Sequence, residues 1–491
     1  MRYRTITLIM SIIISSLLTG CKTVNLPINK NGMISYNDTE AILNRVSSNP
    51  IITVSKACET STGRSVFLVN LNRGISNSQV KVLLVGMQHG NEVSGKDALV
   101  NLIADISENP EMLNPLVDLY IIPALNPDGG ENNQRRNANN TDLNRDHRLL
   151  SQIETQTLYS IVNNIKPDIA VDCHEFGRNS GDYDNLGFIE WPDITMDITN
   201  NPVFSTEIYN AGLEWINNQT GQMKQYGFNF TRYMVGGPPP EEMRPSTTDV
   251  DDARNGIGSY GAVSLIIEAG RIDDPELAEG DIDRRIAAYR TLFDLLLNDN
   301  PFLIKCKDLA QKLRTAEIPD YIPVNYFWGD TDNSVQTVMV LDFDKNEIAI
   351  ETPNVMDTLI IKNSVTRPAG YIIVSEAASV FKPFLEAHNI FFEVLDSPRD
   401  FIVEICSIDE IETEFDQVNN RYAGRHIVDM GEKESYTAQS GSIFVPITSG
   451  VDCLRAIVHL EPNMVYGLYN NDVFSGLLGD YNQIPVMRVV E

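Results

Sequence analysis

The pattern of hydrophobic and polar positions changes once along the chain, near residue 300. Before that point, short β-branched runs alternate with longer stretches of helical periodicity. This alternation predicts an α/β fold, in which helices flank a mixed, largely parallel and buried sheet. The predicted strands cover residues 80–85, 117–122 and 168–172, and the predicted helices cover residues 93–106, 152–165 and 282–297.

After residue 300 the segments are short, alternating in hydrophobicity and bounded by turn residues. They predict a β-rich α+β domain over residues 301–491, to which the sequence assigns no role. A length of 491 residues also favours two domains over one. The first domain is therefore placed at residues 51–300, after a tether and first element at 22–50. The strand-like segments of the second domain are 335–343, 348–352, 370–374 and 441–447.

The first 21 residues have the features of an export signal. Two arginines precede an apolar run that is shorter than the roughly 20 residues needed to span a bilayer. The run ends in Leu-Thr-Gly-Cys, which resembles the lipobox of bacterial lipoproteins, where the cysteine is lipidated. We expect a lipoprotein signal peptide at 1–21 and a secreted chain anchored in the bacterial cell envelope by lipid on Cys21, at the periplasmic face or the cell surface. An ordinary secretory signal is the alternative.

The composition narrows the range of partners. The formal net charge is -29, from 38 lysines and arginines against 67 aspartates and glutamates. This balance argues against a nucleic-acid partner and predicts an acidic exterior. The cysteines after Cys21 lack the spacing of a metal site, and most are expected to be buried thiols. They are Cys58, Cys173, Cys306, Cys406 and Cys453.

Two of the six histidines stand where predicted strands end. His89 follows the run at 80–85 and lies three residues before Glu92, and His174 follows the run at 168–172. Zinc takes nitrogen, oxygen or sulfur donors, and catalytic zinc sites use three protein ligands and leave one position for water. A single histidine at a strand end is more often a hydrogen-bonded structural residue, whereas the pair beside a carboxylate predicts a metal site.

A polar loop between the two histidines supplies guanidinium and amide groups. It reads Asn-Pro-Asp-Gly at 126–129 and Arg-Arg-Asn-Ala-Asn-Asn-Thr-Asp-Leu-Asn-Arg-Asp at 135–146. One arginine fork suits the capture of a carboxylate, and a second arginine can stabilise a developing oxyanion. A later apolar run ends in Glu268, and a metal-bound water needs such a neighbouring base. A solvated basic loop and a solvated strand-end glutamate are the alternatives.

Taken in order, these segments resemble the zinc carboxypeptidase family, whose type member is carboxypeptidase A. The resemblance extends over about residues 50–300. It implies the family's fold and a metalloprotease hydrolase that uses one zinc ion. The substrate would be a peptide with a free C-terminal carboxylate. The matching segments are His-Gly-Asn-Glu at 89–92, Asn-Pro-Asp-Gly at 126–129, Asp-Leu-Asn-Arg at 142–145, Asp-Cys-His-Glu at 172–175 and the strand that ends in Glu268.

The resemblance also implies a role for each matching residue. The zinc ligands would be His89, Glu92 and His174, and Glu268 would be the general base for a zinc-activated water. Arg135 would stabilise the oxyanion, with adjacent Arg136 as the alternative. Asn144 and Arg145 would bind the terminal carboxylate of the substrate. Asp142 would orient a zinc histidine.

Three positions depart from the family's pattern. Asn140 precedes the Asp-Leu-Asn-Arg segment where glycine is usual, and asparagine is among the residues that accept a left-handed backbone. His147 stands where an aromatic residue commonly follows, and it is interpreted as a substitution on the pocket wall rather than a ligand. The family's substrate-capping tyrosine has no clear match, with Tyr233 and Tyr260 as candidates.

Two other functions are compatible with parts of the pattern. A deacylase of the aspartoacylase type shares the His-Gly-Asn-Glu and Asp-Leu-Asn-Arg segments but lacks Asn-Pro-Asp-Gly and the long C-terminal domain. A non-catalytic peptide- or cell-wall-binding lipoprotein would have no need of Glu268. The sequence leaves open the preferred terminal residue and the choice between dietary and peptidoglycan peptides. Residues of the variable stretch before Glu268 are expected mostly in a solvated loop, namely Arg232, Arg244, Asp251, Asp252 and Arg254.

Overall fold

The computed structural model describes most of the chain from residue 33 onward. The expected signal peptide, Cys21 and the tether up to residue 32 lie outside the described residues. The described ranges are 33–75, 79–179, 181–239, 241–274, 278, 280–330, 335–416, 421–468 and 484–490, with side chains omitted at 409–416 and 421–427.

The first part of the chain forms a mixed eight-stranded sheet with the strand order β1-β2-β4-β3-β5-β11-β7-β8. The four central strands β4, β3, β5 and β11 run parallel to one another. This confirms the predicted α/β fold. The strands of this part are β1 (Ile52–Glu59), β2 (Ser65–Leu71), β3 (Val80–Gly86), β4 (Val117–Ile122), β5 (Ile169–Gly177), β6 (Phe188–Glu190), β7 (Ile194–Ile198), β8 (Phe230–Arg232), β9 (Met234–Gly236), β10 (Met243–Pro245) and β11 (Val263–Arg271).

Helices cover both faces of this sheet, and the three predicted ones are present as Val93–Glu108, Ile153–Ile165 and Asp281–Asn298. Capping side chains fix several starts. In the helix Thr206–Gln225, for example, Ser205 accepts a hydrogen bond from the Ile208 N–H. The other helices are Tyr36–Val46, Pro127–Asn132, Asp182–Asn185, Ala253–Gly258, Asn300–Arg314, Ala378–Ala387 and Val451–Leu460, with 3₁₀ turns at Pro110–Met112 and Leu143–Arg145.

The C-terminal region is β-rich, as predicted, and joins the first part through backbone pairing. Strand β13 (Gln336–Asp342) pairs with β6 of the first part and with β14 (Glu347–Thr352), and the three strands form one sheet in the order β14-β13-β6. The strands are β12 (Tyr321–Gly329), β13 (Gln336–Asp342), β14 (Glu347–Thr352), β15 (Thr358–Thr366), β16 (Gly370–Ile373), β17 (Glu393–Val394), β18 (Arg399–Asp416), β19 (Arg421–Ala438), β20 (Ile443–Pro446) and β21 (Val486–Val489).

One buried hydrophobic cluster contains side chains from both parts of the chain. The helix Asn300–Arg314 contacts β3, β5 and β11, and its Arg314 pairs with Asp168 before β5 at 3.1 Å. The division of the chain at residue 300 stays a prediction. All five cysteines after Cys21 are free thiols, and Cys173, Cys306 and Cys406 are buried. Among the described helices, none combines the length and the apolar character needed to cross a membrane.

Parallel pairing brings the carboxyl ends of β3, β5 and β11 to one edge of the sheet, where ligands collect in open α/β folds. His174 of β5 lies directly opposite Glu268 of β11 in the register, so both side chains project from the same face. His89 lies just beyond β3, the other neighbour of β5. The sheet therefore brings three sequence-distant candidate residues together.

Candidate metal centre and active site

His89, Glu92 and His174 form a buried cluster whose donor atoms lie within 4.8 Å of one another. The Nδ1 atoms of His89 and His174 are 3.0 Å apart. Each also contacts one oxygen of Glu92, His89 at 2.8 Å and His174 at 2.9 Å. The structure thus brings the three predicted ligands together around one point.

The opposite nitrogen of each histidine faces an aspartate. His89 Nε2 lies 3.1 Å from Asp142 Oδ1, and His174 Nε2 lies 2.6 Å from Asp172 Oδ2. A carboxylate accepts the imidazole N–H, so the two aspartates can hold the Nε2 protons while both Nδ1 atoms and the Glu92 oxygens face one shared point. Metal binding requires this tautomer, and the His₂Glu donor set suits zinc. The residues present therefore fit the metal.

The loop at 126–146 lies against this cluster, and its backbone closely approaches Gly90. A Cβ built on Gly90 would overlap the backbone atoms of Gly129 and Gly130, so glycine is required there. Asn126 fixes the loop from within, since its Nδ2 donates to Gln88 O and its Oδ1 caps the Gly129 N–H. Asn140 has φ of 60°, the left-handed geometry that the sequence allowed.

Arg135, and not Arg136, points to the cluster. Arg135 Nε donates to Asp142 Oδ2 at 2.8 Å, and its Nη1 lies 3.2 Å from His89 Nδ1. Since a guanidinium can only donate, this contact agrees with an unprotonated Nδ1. Arg136 instead donates to Asn140 O within the loop. The Arg135 side chain is 41% exposed, so its guanidinium is accessible from the cleft.

Glu268 is buried, with 7% exposure, beside the cluster. Its carboxylate makes no hydrogen bond or ion pair with any residue that the structure describes. Burial raises the pKa of Glu268 to about 8; the nearby charges of Glu92 and Asp172 act in the same direction, and that of His174 opposes them. A carboxyl group that holds its proton near neutral pH and lacks a partner suits proton transfer.

Asn144 and Arg145 lie on the 3₁₀ turn that follows Asp142. Asn144 is buried, with Nδ2 3.2 Å from His174 Nε2 and Oδ1 accepting from the Ala253 N–H at 2.8 Å. Arg145 donates to Asn144 O at 2.6 Å, and no described carboxylate lies within ion-pair distance of it. Burial opposes its charge, but the surrounding aspartates, Asp251 foremost, raise the pKa of Arg145. Its guanidinium remains available for an anion.

The two candidate capping tyrosines occupy different places. Tyr233 follows β8; burial, and then the charges of Glu268 and Glu190, raise the pKa of its phenol well above the ordinary value. Tyr260 donates to His388 of the C-terminal region and lies under the Arg455 guanidinium, 3.8 Å from the ring centroid. Tyr233 lines the same cavity as Thr195, the residue opposite Glu268 in the pairing of β7 with β11, whereas Tyr260 is part of the buried core.

The sequence interpretation missed a buried chain of hydrogen bonds behind His174. Asp172 Oδ2 accepts from Gln88 Nε2 at 2.7 Å, and Gln88 Oε1 accepts from His147 Nε2 at 2.8 Å. Tyr159 completes it with a hydroxyl 3.0 Å from His147 Nδ1. His147 is thus buried rather than on the pocket wall. The available signal was the spacing of Asp172 and His174, since residues two apart on a strand share a face.

The backbone around Glu92 is held by a second buried carboxylate. Glu175 accepts from the N–H and the hydroxyl of Ser94, at 2.7 and 2.5 Å, and pairs with Arg285 at 2.5 Å. The Glu175 N–H in turn donates to Glu92 Oε2 at 3.1 Å. Within the stretch at 232–254, Arg244 is exposed as expected, whereas Arg232 is half-buried and Arg254 is buried. Both of these arginines pair with Asp197, at 3.0 and 2.8 Å.

Comparison with known proteins identifies relatives of the first part of the chain. Residues 39–166 match the family model described as zinc carboxypeptidase. Carboxypeptidase 2 of Trichophyton rubrum is 27% identical over 217 residues, which cover 43% of this chain and 40% of the relative. The probable carboxypeptidase 2 of Arthroderma benhamiae is 36% identical over 111 residues, which cover 22% of this chain and 21% of that protein. These alignments therefore cover less than half of the relatives' length.

Among solved structures, a metallo-carboxypeptidase from Burkholderia cenocepacia is similar over 53% of this chain and 68% of its own chain. Its TM-score is 0.43 and its sequence identity is 19%.

Proposed function

We propose that this chain is a metallocarboxypeptidase that hydrolyses the C-terminal peptide bond of peptides. The match of residues 39–166 to the zinc carboxypeptidase family model supports this proposal. The observation that carries the proposal is the His89, Glu92 and His174 cluster with Glu268 unpaired beside it. A binding protein has no need of a base at that position. A zinc ion held by these residues would polarise the scissile carbonyl and lower the pKa of a bound water.

Glu268 is assigned the proton transfers. Its carboxylate would accept a proton from the attacking water and deliver it to the leaving amine. Burial keeps the proton on Glu268 up to about pH 8 in the metal-free protein, and a bound cation would lower that value by favouring the carboxylate. The base would then be ionised at neutral pH, as proton abstraction requires.

Arg135 and Arg145 are assigned to the two negative charges of the reacting peptide. Arg135 is held by Asp142 and lies beside His89, so its Nη groups can stabilise the oxyanion that develops on the scissile carbonyl. Arg145, without an ion-pair partner among the described residues, would bind the terminal carboxylate. Asn144 lies against His174 and the Ala253 N–H, and we assign it to the same carboxylate subsite. Tyr233 would close over the bound peptide.

The test is zinc content combined with a peptide library. The chain from Lys22 onward and its His174→Ala variant are assayed for bound zinc and then incubated with peptides that have free or amidated C-termini. We expect one zinc per chain in the wild type only, and removal of single residues only from free C-termini. Cleavage of N-acylated amino acids alone would indicate a deacylase. Bound zinc without any turnover would contradict the enzymatic proposal.

We further propose that lipid on Cys21 anchors the chain in the bacterial cell envelope. The support is the Leu-Thr-Gly-Cys segment after the apolar run. A Cys21→Ser variant should leave the membrane fraction and lose labelling by a fatty-acid probe. Labelling that persists in the variant would contradict the anchor.

A further inference from the structure

A cavity of about 610 Å³ opens beside the candidate base. Thr195 and Tyr233 line it, and Thr195 is the residue opposite Glu268 in the pairing of β7 with β11. The cavity therefore borders the strand position that carries the candidate base. Part of its wall comes from the C-terminal region, through Gln336–Met339 of β13 and through Val355, Asp357 and Thr358.

Glu190 is an unpaired carboxylate in this cavity. It ends β6, and its side chain makes no hydrogen bond or ion pair with the described part of the chain. Burial, and to a lesser degree the charge of Glu268, raise the pKa of Glu190 to about 8, against the opposing charge of Arg178. Glu190 is half-buried. A carboxylate that is partly removed from water and has no ion-pair partner is destabilised, so a cation brought by a ligand would be favoured there.

Aromatic residues line the same cavity as this carboxylate. Tyr183 and Tyr233 are two of them, and the charge of Glu190 contributes, after burial, to the raised pKa of both phenols. Phe176 and Trp191 also contribute to the lining. Ammonium and guanidinium groups are attracted to the faces of such rings. A carboxylate among aromatic rings is therefore suited to a cationic side chain.

Arg232, the single cation among the described lining residues, does not neutralise Glu190. Its Nε donates to Asp197 at 3.0 Å, and its Nη2 donates to the Tyr209 hydroxyl at 2.9 Å. The guanidinium also lies over the rings of Tyr209 and Trp328, at 5.5 and 5.6 Å. Its charge is thus already compensated. The other charged lining residue, Asp357, is a second carboxylate.

We propose that Glu190 determines substrate specificity, and that the cavity takes a lysine or arginine side chain of the peptide. This inference rests on the proposed carboxypeptidase function. The peptide's cation would replace the missing counter-charge, while the C-terminal wall encloses the stem of the side chain. It also gives the C-terminal region a role, because part of the specificity cavity is built by β13.

The experiment compares kcat/KM of the zinc-loaded full chain on matched peptides. One series ends in Lys, Arg, Leu, Phe or Glu, and a second carries the same residues at the penultimate position. We expect Lys and Arg to be preferred at one of the two positions. Glu190→Gln should lower kcat/KM for those peptides roughly 10- to 100-fold, as expected for loss of a hydrogen bond between charged groups, and change the Leu peptides less than about threefold.

Glu351→Gln is the matched control, since Glu351 belongs to the same three-stranded sheet but does not line the cavity. It should leave the preference unchanged. Zinc content and thermal melting confirm that each variant is folded. Cleavage without a cation preference, or an equal loss on all peptides in Glu190→Gln, would overturn the inference and leave the carboxypeptidase proposal intact. Absence of any peptide cleavage by the wild type would instead refute the proposed function.

Discussion

The Nδ1 atoms of His89 and His174 face each other at 3.0 Å, while an aspartate holds the Nε2 atom of each ring. The aspartates thus set which nitrogen is free for the metal. Asp172→Asn should raise the zinc dissociation constant about 10- to 100-fold, because the amide no longer fixes the tautomer of His174. Competition with a chromophoric chelator measures this constant. Asp168→Asn, just before the opposite end of the same strand, should leave it unchanged, and equal effects would contradict this assignment.

The hydrogen bonds that link Tyr159, His147, Gln88 and Asp172 predict that a substitution remote from the metal ligands changes zinc affinity. His147→Phe removes the donor to Gln88, so Gln88 can turn away from Asp172, and zinc affinity should fall by about tenfold. His147→Gln retains a donor and should recover most of the affinity. The same chelator competition gives both values. A loss of thermal stability in His147→Phe without a change in zinc affinity would show that the chain serves packing alone.

Gly90 provides a test of the contact between the two loops of the site. Gly90→Ala inserts a methyl group into space that the backbone of Gly129 and Gly130 already occupies, so the loops must separate. Zinc content and activity should both be lost. Gly221→Ala is the control, because no atom lies within 4 Å of the position that its methyl group would take and the residue is helical. That variant should gain stability by up to roughly 1 kcal/mol. Unchanged zinc binding in Gly90→Ala would refute the close approach.

The pKa of Glu190 predicts how the stability of the metal-free protein varies with pH. Folding raises this pKa from 4.5 to about 8, so the folded protein binds the proton more tightly than the unfolded chain. The Glu190 contribution is therefore most favourable below pH 4.5 and is lost as the pH rises to 8. Glu190→Gln should stabilise the protein by a few kcal/mol above pH 8 and have little effect near pH 4. Urea unfolding at both values checks this, and a pH-independent difference would contradict it.

The contacts of Arg455 predict that the stability of the first part of the chain depends strongly on the C-terminal region. Its side chain is fully buried, with Nη1 donating to Ser259 O at 2.9 Å and Nε to His388 O at 3.0 Å. Arg455→Ala leaves these carbonyl oxygens without donors and should destabilise the protein by roughly 3–5 kcal/mol. Arg399→Ala removes an exposed pair with Glu393 and should cost less than about 1 kcal/mol. Similar unfolding midpoints for the two variants would contradict this role.

The sequence predicted those site residues that are chemically reactive and also stand at the ends of predicted strands. His89, His174 and Glu268 each follow or end an apolar run, and parallel strands must bring such positions to one edge. Asp172 was within reach of the same argument, because it lies two residues from His174. Gln88 and His147 were not, since their role depends on a contact between residues 59 positions apart.

The specificity cavity could not be predicted from the sequence for a related reason. Glu190 reads as one acidic residue among many in a chain of charge -29. Its importance comes from the pairing of Val340 with Glu190, which joins segments about 150 residues apart and has no local signature. Similarly, Tyr233 and Tyr260 are equivalent by type, and only tertiary packing separates a cleft residue from a core residue.

The pairing of β13 with β6 also constrains how the proposed specificity cavity can change. Because main-chain hydrogen bonds fix the spacing of β6 and β13, single side-chain replacements can alter the polarity and the filling of the cavity but not the alignment of these two strands. A change in that alignment requires a shift of strand register or a change in loop length. Homologues that accept substrates of other sizes are therefore expected to differ by insertions and deletions around β13, and those that differ only in charge preference by substitution at the position of Glu190.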